Sequence, residues 1–206
     1  MTTDLQLLES MVIEPCVLEN DFVTLEPITY AHIDDIVEAM DDSVFRYMPM
    51  RSSVRTNNEV RRYIDFQQSR EHTIAFAVVD RATKKAVGST SFMNIRTEHR
   101  GLEIGSTWIA QSARGTKINP SMKYLMLAHA FEALGAIRVE LKTDARNTRS
   151  RAAILKLGAE YEGMQRNHTI MPDGHLRDTV MYSIVPDQWS AVKSGLLARI
   201  NAGAQS

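Results

Sequence analysis

Residues 113–127 read ARGTKINPSMKYLML, a short basic loop running into a long apolar stretch. This order sets Arg114, Lys117 and Lys123 beside the unpaired amides of a helix start, with Gly115 free to bend the backbone. The chemistry that suits such a stretch is the binding of an anion, phosphate above all. Exposed N–H groups and the positive end of the helix dipole both stabilise negative charge there. Asn119 reads as the N-cap and Pro120 as the first helical residue, because a residue before proline prefers the extended conformation that an N-cap needs. Other chemistries find less support. Cys16 is the only cysteine, so neither an intramolecular disulfide nor a zinc cluster is available, and no His, Cys and carboxylate spacing suggests a metal.

Composition narrows the partners. Lys plus Arg number 24 and Asp plus Glu 25 among 206 residues, a formal net charge of -1, so no global field recruits nucleic acid or an acidic membrane surface. Any partner must be recognised locally. The N-terminal MTTDLQLLESMVIEP holds Asp4 and Glu9 and lacks a basic start followed by an apolar core, and no apolar run approaches roughly 20 residues. Together with the single cysteine this leads to the expectation of a cytoplasmic protein. The length suits one core, with no repeat or low-complexity stretch to divide it.

The elements that must position the loop follow from periodicity. FVTLEPI (22–28) alternates as a first strand ending at its proline. Ile33, Ile36, Val37 and Met40, then Val60, Tyr63, Ile64 and Gln67, recur at helical spacing and predict two helices. Residues 73–95 read as a β-hairpin, and GLEIGSTWIA (101–110) as a strand in which Gly105 marks a bulge or a close approach. Pro120 to Leu134 is apolar on nearly every side, which predicts a helix buried against a sheet. IRVELKTDA (137–145) alternates as a strand, and NTRSRAAILKLG is a helix capped by Asn147 and stopped by Gly158. Two extended runs flank the turn MPDGH, and Trp189, Val192, Leu196 and Ile200 form one face of a terminal helix. The fold class is α/β with a mixed sheet.

The order of these elements, with QSARGT between strand and buried helix and FEALGAIRVELKTDARNTRSRAAILKLGAEYEG beyond it, resembles the GNAT superfamily of acetyl-CoA-dependent N-acetyltransferases. Within it the likeness is to the RimJ/RimL branch. It covers roughly residues 15 to 186, so that 1–14 is an N-terminal extension, 15–186 the acetyltransferase domain and 187–206 a C-terminal helix and tail. The resemblance implies a mostly antiparallel sheet splayed at a bulged central strand, flanked by helices. Acetyl-CoA would lie in the resulting cleft, paired through the backbone at Trp108 and Ile109, with its diphosphate on the loop 114–119 (Arg114, Gly115, Thr116, Lys117, Asn119). Two departures stand in that loop, one of them Asn119 in the place of a small residue. Lys117 occupies the place of the family's second glycine, and a lysine disfavours positive φ, which argues against the tightest form of the turn.

The resemblance also implies an acetyl transfer to a primary amine by direct attack in a ternary complex, since Cys16 lies outside the catalytic region and offers no nucleophile for a covalent route. Ser150, in the arrangement Asn147-x-x-Ser150, is the candidate acid for the departing thiolate, and Asn147 would face the cofactor arm. An amide near Ile109 would hold the oxyanion. Glu103 is the candidate base and Glu140 its rival, one register step deciding between them. His168 and Asp178 are further candidates for substrate contact, and Tyr161 is a poor substitute for the acid. The acceptor stays open between a protein N-terminus and a small molecule: an acidic cleft would favour a polyamine and an open groove a peptide. The acceptor loops are expected at 41–58 and 164–178. A homodimer is compatible with the resemblance. A non-catalytic acyl-CoA-binding module on the same fold is the alternative reading.

Overall fold

The computed structural model describes residues 10–41, 43–49 and 56–202. One eight-stranded sheet organises them: β1 (Leu18–Glu19), β2 (Val23–Pro27), β3 (Ile74–Asp80), β4 (Ala86–Arg96), β5 (Gly101–Ile109), β6 (Arg138–Asp144), β7 (Glu160–Ile170) and β8 (Leu176–Ile184). Their spatial order is β1-β2-β3-β4-β5-β6-β8-β7. Every neighbouring pair is antiparallel except β5 with β6. The expected α/β class with a mixed, mostly antiparallel sheet is therefore observed. FVTLEPI is the second strand and not the first, because the two-residue β1 pairs with it at Leu18↔Leu25. Two residues carry no periodicity from which a strand could be read.

Alternation along the strands separates two cores. Val139 and Leu141 of β6 and Val180, Tyr182 and Ile184 of β8 point to one face, where α3 (Ile118–Ala128), α4 (Thr148–Leu157) and α5 (Pro186–Asn201) pack. Met122, Met126 and Leu127 of α3 are completely buried there, and each such side chain stabilises the fold by about 1.5–3 kcal/mol. On the other face, α1 (Ile33–Ala39) and α2 (Asn57–Ser69) bury Ile36, Val60 and Ile64 against Ala75, Ala77 and Trp108. The start of α2 is set by a reciprocal cap: the Glu59 amide donates to the Thr56 hydroxyl at 3.3 Å and the Thr56 amide to the Glu59 carboxylate at 3.1 Å.

The ends of α4 match their sequence signals. Asn147 accepts from the Ser150 amide at 3.1 Å, and Gly158 closes the helix in the left-handed region at φ 102°. The start of α3 does not. Lys117 holds the N-cap position and α3 begins at Ile118, so Asn119 is its second residue and Pro120 its third. The cause is Thr116, whose hydroxyl accepts from the Ile118 amide at 3.2 Å and closes the turn ahead of Asn119. Proline is harmless anywhere in a first turn, whose amides have no intrahelical acceptor, so Pro120 could not fix the start to itself. Beyond Ala128 the chain widens into a π-helical segment, His129–Ala133. Among the described residues no helix is long and apolar enough to cross a membrane.

Candidate active site

The site is made by two strands that part. β5 and β6 pair over only three positions, Gly101↔Arg138, Leu102↔Val139 and Glu103↔Glu140. Past Glu103 they diverge, because β5 is bulged against β4. Ser91 opposes Gly105 and Ser89 opposes Trp108, so β5 uses one residue more than β4 over that interval. The bulged residue is Ser106, at φ 49°, next to the glycine that flagged it. Gly105 is small for a different reason: a Cβ there would lie 2.5 Å from Met93 Sδ and 2.7 Å from Glu103 Oε1. Arg70 braces the bulge by donating from Nη1 to Ser106 Oγ at 2.9 Å. The divergence opens a cleft of about 900 Å³.

Backbone geometry decides what β5 offers to the cleft. Ala110 donates to the Val87 carbonyl at 2.8 Å, and alternation of an antiparallel ladder then turns the Trp108 amide to Ser89 and the Ile109 amide away from β4, toward the open side. Of the two residues named from the sequence, Ile109 is the one with a free-facing N–H. The Trp108 side chain is buried on the opposite face, its indole donating to Tyr63 Oη at 3.1 Å.

At the mouth of α3, Gly115 adopts φ 79°, and a Cβ built there meets nothing within 4 Å. The glycine serves backbone conformation and leaves open space beside it. Lys117 has φ -73°, so this turn never asks a lysine for positive φ and needs no second glycine. Asn119, Arg114 and Lys123 line the cleft with Gly115. Thr116 and Lys117 instead line a separate hollow, where Lys117 Nζ stands 4.7 Å from the Phe22 ring centre. Arg114 is already engaged, donating to the Ile109 carbonyl at 3.0 Å and to Ser43 Oγ at 3.1 Å. Lys123 is the freer cation. Its Nζ contacts Thr107 Oγ1 at 3.4 Å, and burial pulls its pKa down to about 8 despite the opposing pull of Glu103.

Ser150, in the first turn of α4, lines the cleft, and among the described residues its hydroxyl has no hydrogen-bond partner. Glu103 also lines it, 2% exposed, accepting from Asn94 Nδ2 at 2.6 Å and from Lys142 Nζ at 2.9 Å. Glu140 does not reach the cleft. It is clamped by Arg96 and Arg138, each 2.9 Å from Oε1. The two carboxylates are register partners in a parallel pair and face the same side, so neither alternation phase nor depth along the strands separates them; the cations around each do.

Of the expected acceptor loops, Ser43, Val44 and Arg46 to Pro49, with His168, Thr169 and Arg177, line the cleft, while residues 42 and 50–55 lie outside the described residues. His168 meets Thr179 Oγ1 at 3.0 Å, and burial together with nearby Lys142 and Arg177 lowers its pKa. Asp178 does not line the cleft; it accepts from the Asn167 amide at 2.8 Å where β7 is irregular. Tyr161 is exposed and packs edge-on against Tyr182. Sequence reasoning missed Arg70, Lys142 and Arg177. Alternation within RDTVMYSIV placed Arg177 on the face opposite Val180, the one local hint.

Residues 23–160 match the model of the acetyltransferase (GNAT) domain. An uncharacterized N-acetyltransferase of Bacillus subtilis, YoaA, is 27% identical over 173 residues, which is 82% of this chain and 96% of YoaA. The crystal structure of a GCN5-related N-acetyltransferase from Brucella melitensis superposes with a TM-score of 0.88 at 26% identity, over 94% of this chain and 90% of that one. Mycobacterium smegmatis RimJ in complex with CoA-disulfide shares the fold at a TM-score of 0.74 and 19% identity, over 89% and 94% of the two chains. A splayed sheet, an anion-ready helix start beside the splay and a family match over most of the chain agree: this protein belongs to the GNAT family of acetyltransferases.

Proposed function

We propose that the protein transfers the acetyl group of acetyl-CoA to a primary amine by direct attack, both substrates meeting in the cleft between β5 and β6. The observation that carries this reading is that complementary groups line one cleft at the splay: the Ile109 amide, the Ser150 hydroxyl and the Glu103 carboxylate. The diphosphate would rest at the start of α3, where Gly115 leaves space and the amide of Asn119 has no intrahelical acceptor. Lys123 would add charge from within the cleft, since Arg114 and Lys117 are engaged elsewhere.

Each residue then has one task. Glu103 accepts the proton that the ammonium must lose before its nitrogen can attack the carbonyl carbon. Ile109 N–H donates to the carbonyl oxygen as negative charge develops on it. Ser150 gives its proton to the sulfur as the C–S bond breaks, and the second proton, lost by the acylated nitrogen as the adduct collapses, restores the hydroxyl through solvent. Asn147 holds the turn from which Ser150 acts, by capping its amide.

The cradle is tested by Gly115→Val. The variant should fold, because the added side chain meets open space, but it carries a backbone cost of about 1–2 kcal/mol for a left-handed non-glycine residue. Its bulk stands where the diphosphate should approach, so acetyl-CoA affinity measured by calorimetry should fall by roughly 10-fold or more. Wild-type affinity in a folded Gly115→Val would remove the phosphate from this loop.

A further inference from the structure

We infer that the amine acceptor carries a carboxylate close to its amine, and that Arg177 receives it on the wall of the cleft. This rests on the acetyl-transfer reading of the same cleft and names the class of its second substrate. Arg177 is 7% exposed and lines the cleft, yet among the described residues no carboxylate lies within ion-pair distance of it. Its Nη1 donates to the Tyr47 carbonyl at 3.2 Å, and its Nε is buried with no partner. The two acids whose charge it feels are already taken. Asp144 is held by Arg146 at 2.7 and 3.0 Å, and Glu103 by Lys142 and Asn94. A guanidinium stays protonated under such conditions, and a buried charge without a counter-ion is costly. A ligand anion removes that cost.

The rest of the lining agrees. Among the described residues it includes eight Lys or Arg side chains and one carboxylate, Glu103. Arg114 and Lys123 stand on the cofactor's side at the start of α3, but Lys142 shares the face of Arg177, so a polyamine is repelled there and an anionic amine attracted.

The phosphates of acetyl-CoA are a second source of negative charge, but the sheet separates them from Arg177. The start of α3 packs on the face that holds Val180 and Tyr182. Arg177 alternates with Val180 and projects to the other face with Thr179, whose register partner is Asp144. The cofactor's anion belongs to one face and the acceptor's to the other. A carboxylate also matches the planar fork of arginine, which can donate two parallel hydrogen bonds. Its source is either the α-carboxylate of a free amino acid or an acidic side chain near a peptide N-terminus.

Matched acceptor pairs test this: free amino acids against their C-terminal amides, and short peptides with Asp or Glu at the second position against Asn or Gln. Acetyl transfer is followed by thiol release and by the mass of the acceptor. In the arm that reports the true source, the carboxylate member should show a KM lower by roughly 10- to 100-fold. Arg177→Gln should bring the ratio close to one while acetyl-CoA affinity holds, and Arg177→Lys should keep part of it. The wild-type ratios and Arg177→Lys decide the matter should Arg177→Gln fail to fold. Equal KM values for both members in both arms, or a preference that survives in folded Arg177→Gln, overturn the anion subsite and leave acetyl transfer standing. Failure to bind acetyl-CoA or to acetylate any amine overturns the transfer reading and the subsite with it.

Discussion

Glu103→Gln is expected to lower turnover by about 10²- to 10⁴-fold at neutral pH, and to recover as rising pH deprotonates the amine in solution. The amide keeps the shape of the carboxylate but can no longer take a proton, so the substrate must arrive already neutral. The variant has a second consequence. Lys142, 2.9 Å away, loses its carboxylate, and removal of one partner from a buried pair typically costs about 3–5 kcal/mol. The Lys142 side chain is 23% exposed and can turn toward water, so the loss should lie at or below the bottom of that range. Activity is therefore best compared at a temperature where the variant is folded by circular dichroism. A pH profile for Glu103→Gln that parallels wild type would remove it as the base. Glu140→Gln should leave the profile unchanged, since Glu140 is clamped by Arg96 and Arg138 and does not line the cleft.

Ser150→Ala should reduce kcat by about 10²-fold with little change in acetyl-CoA affinity, because its hydroxyl acts mainly in the transition state. The lower end of the usual range applies, as a thiolate is already a tolerable leaving group. Stability should hardly move. The Asn147 cap uses the Ser150 amide and not its side chain, so the start of α4 survives the substitution. An equal rise in the dissociation constant of acetyl-CoA would recast Ser150 as a binding residue.

How far the sequence could be read varied with how local each signal is. Asn147 and Gly158 bound α4 because both ends carry their own chemistry within a few residues, and the structure places them there. The same kind of signal misplaced the start of α3, because Asn-Pro competes with a hydroxyl three residues earlier and Thr116 wins. The parting of β5 from β6 was implied by family likeness, and Gly105 marked its bulge only to within one residue, since Ser106 bears the positive φ. The relation of Glu103 to Glu140 could not be read at all: they are register partners from strands 37 positions apart in the chain, and what distinguishes them is which cations surround each. Arg177 is the extreme case. That it is buried without a carboxylate depends on Asp144 and Glu103 being claimed by Arg146 and Lys142, an arrangement of four other residues that no single stretch contains.

Direct transfer requires acetyl-CoA and a primary amine to meet in the cleft before either product leaves. Initial rates of thiol release, measured with acetyl-CoA and amine varied against each other and with acetylated product identified by mass, test it most directly. Release should depend on the amine, the amine should gain one acetyl group for each thiol set free, and reciprocal plots should intersect, as a ternary complex requires. Parallel plots with an acetylated enzyme intermediate, or release that no amine stimulates, would contradict it.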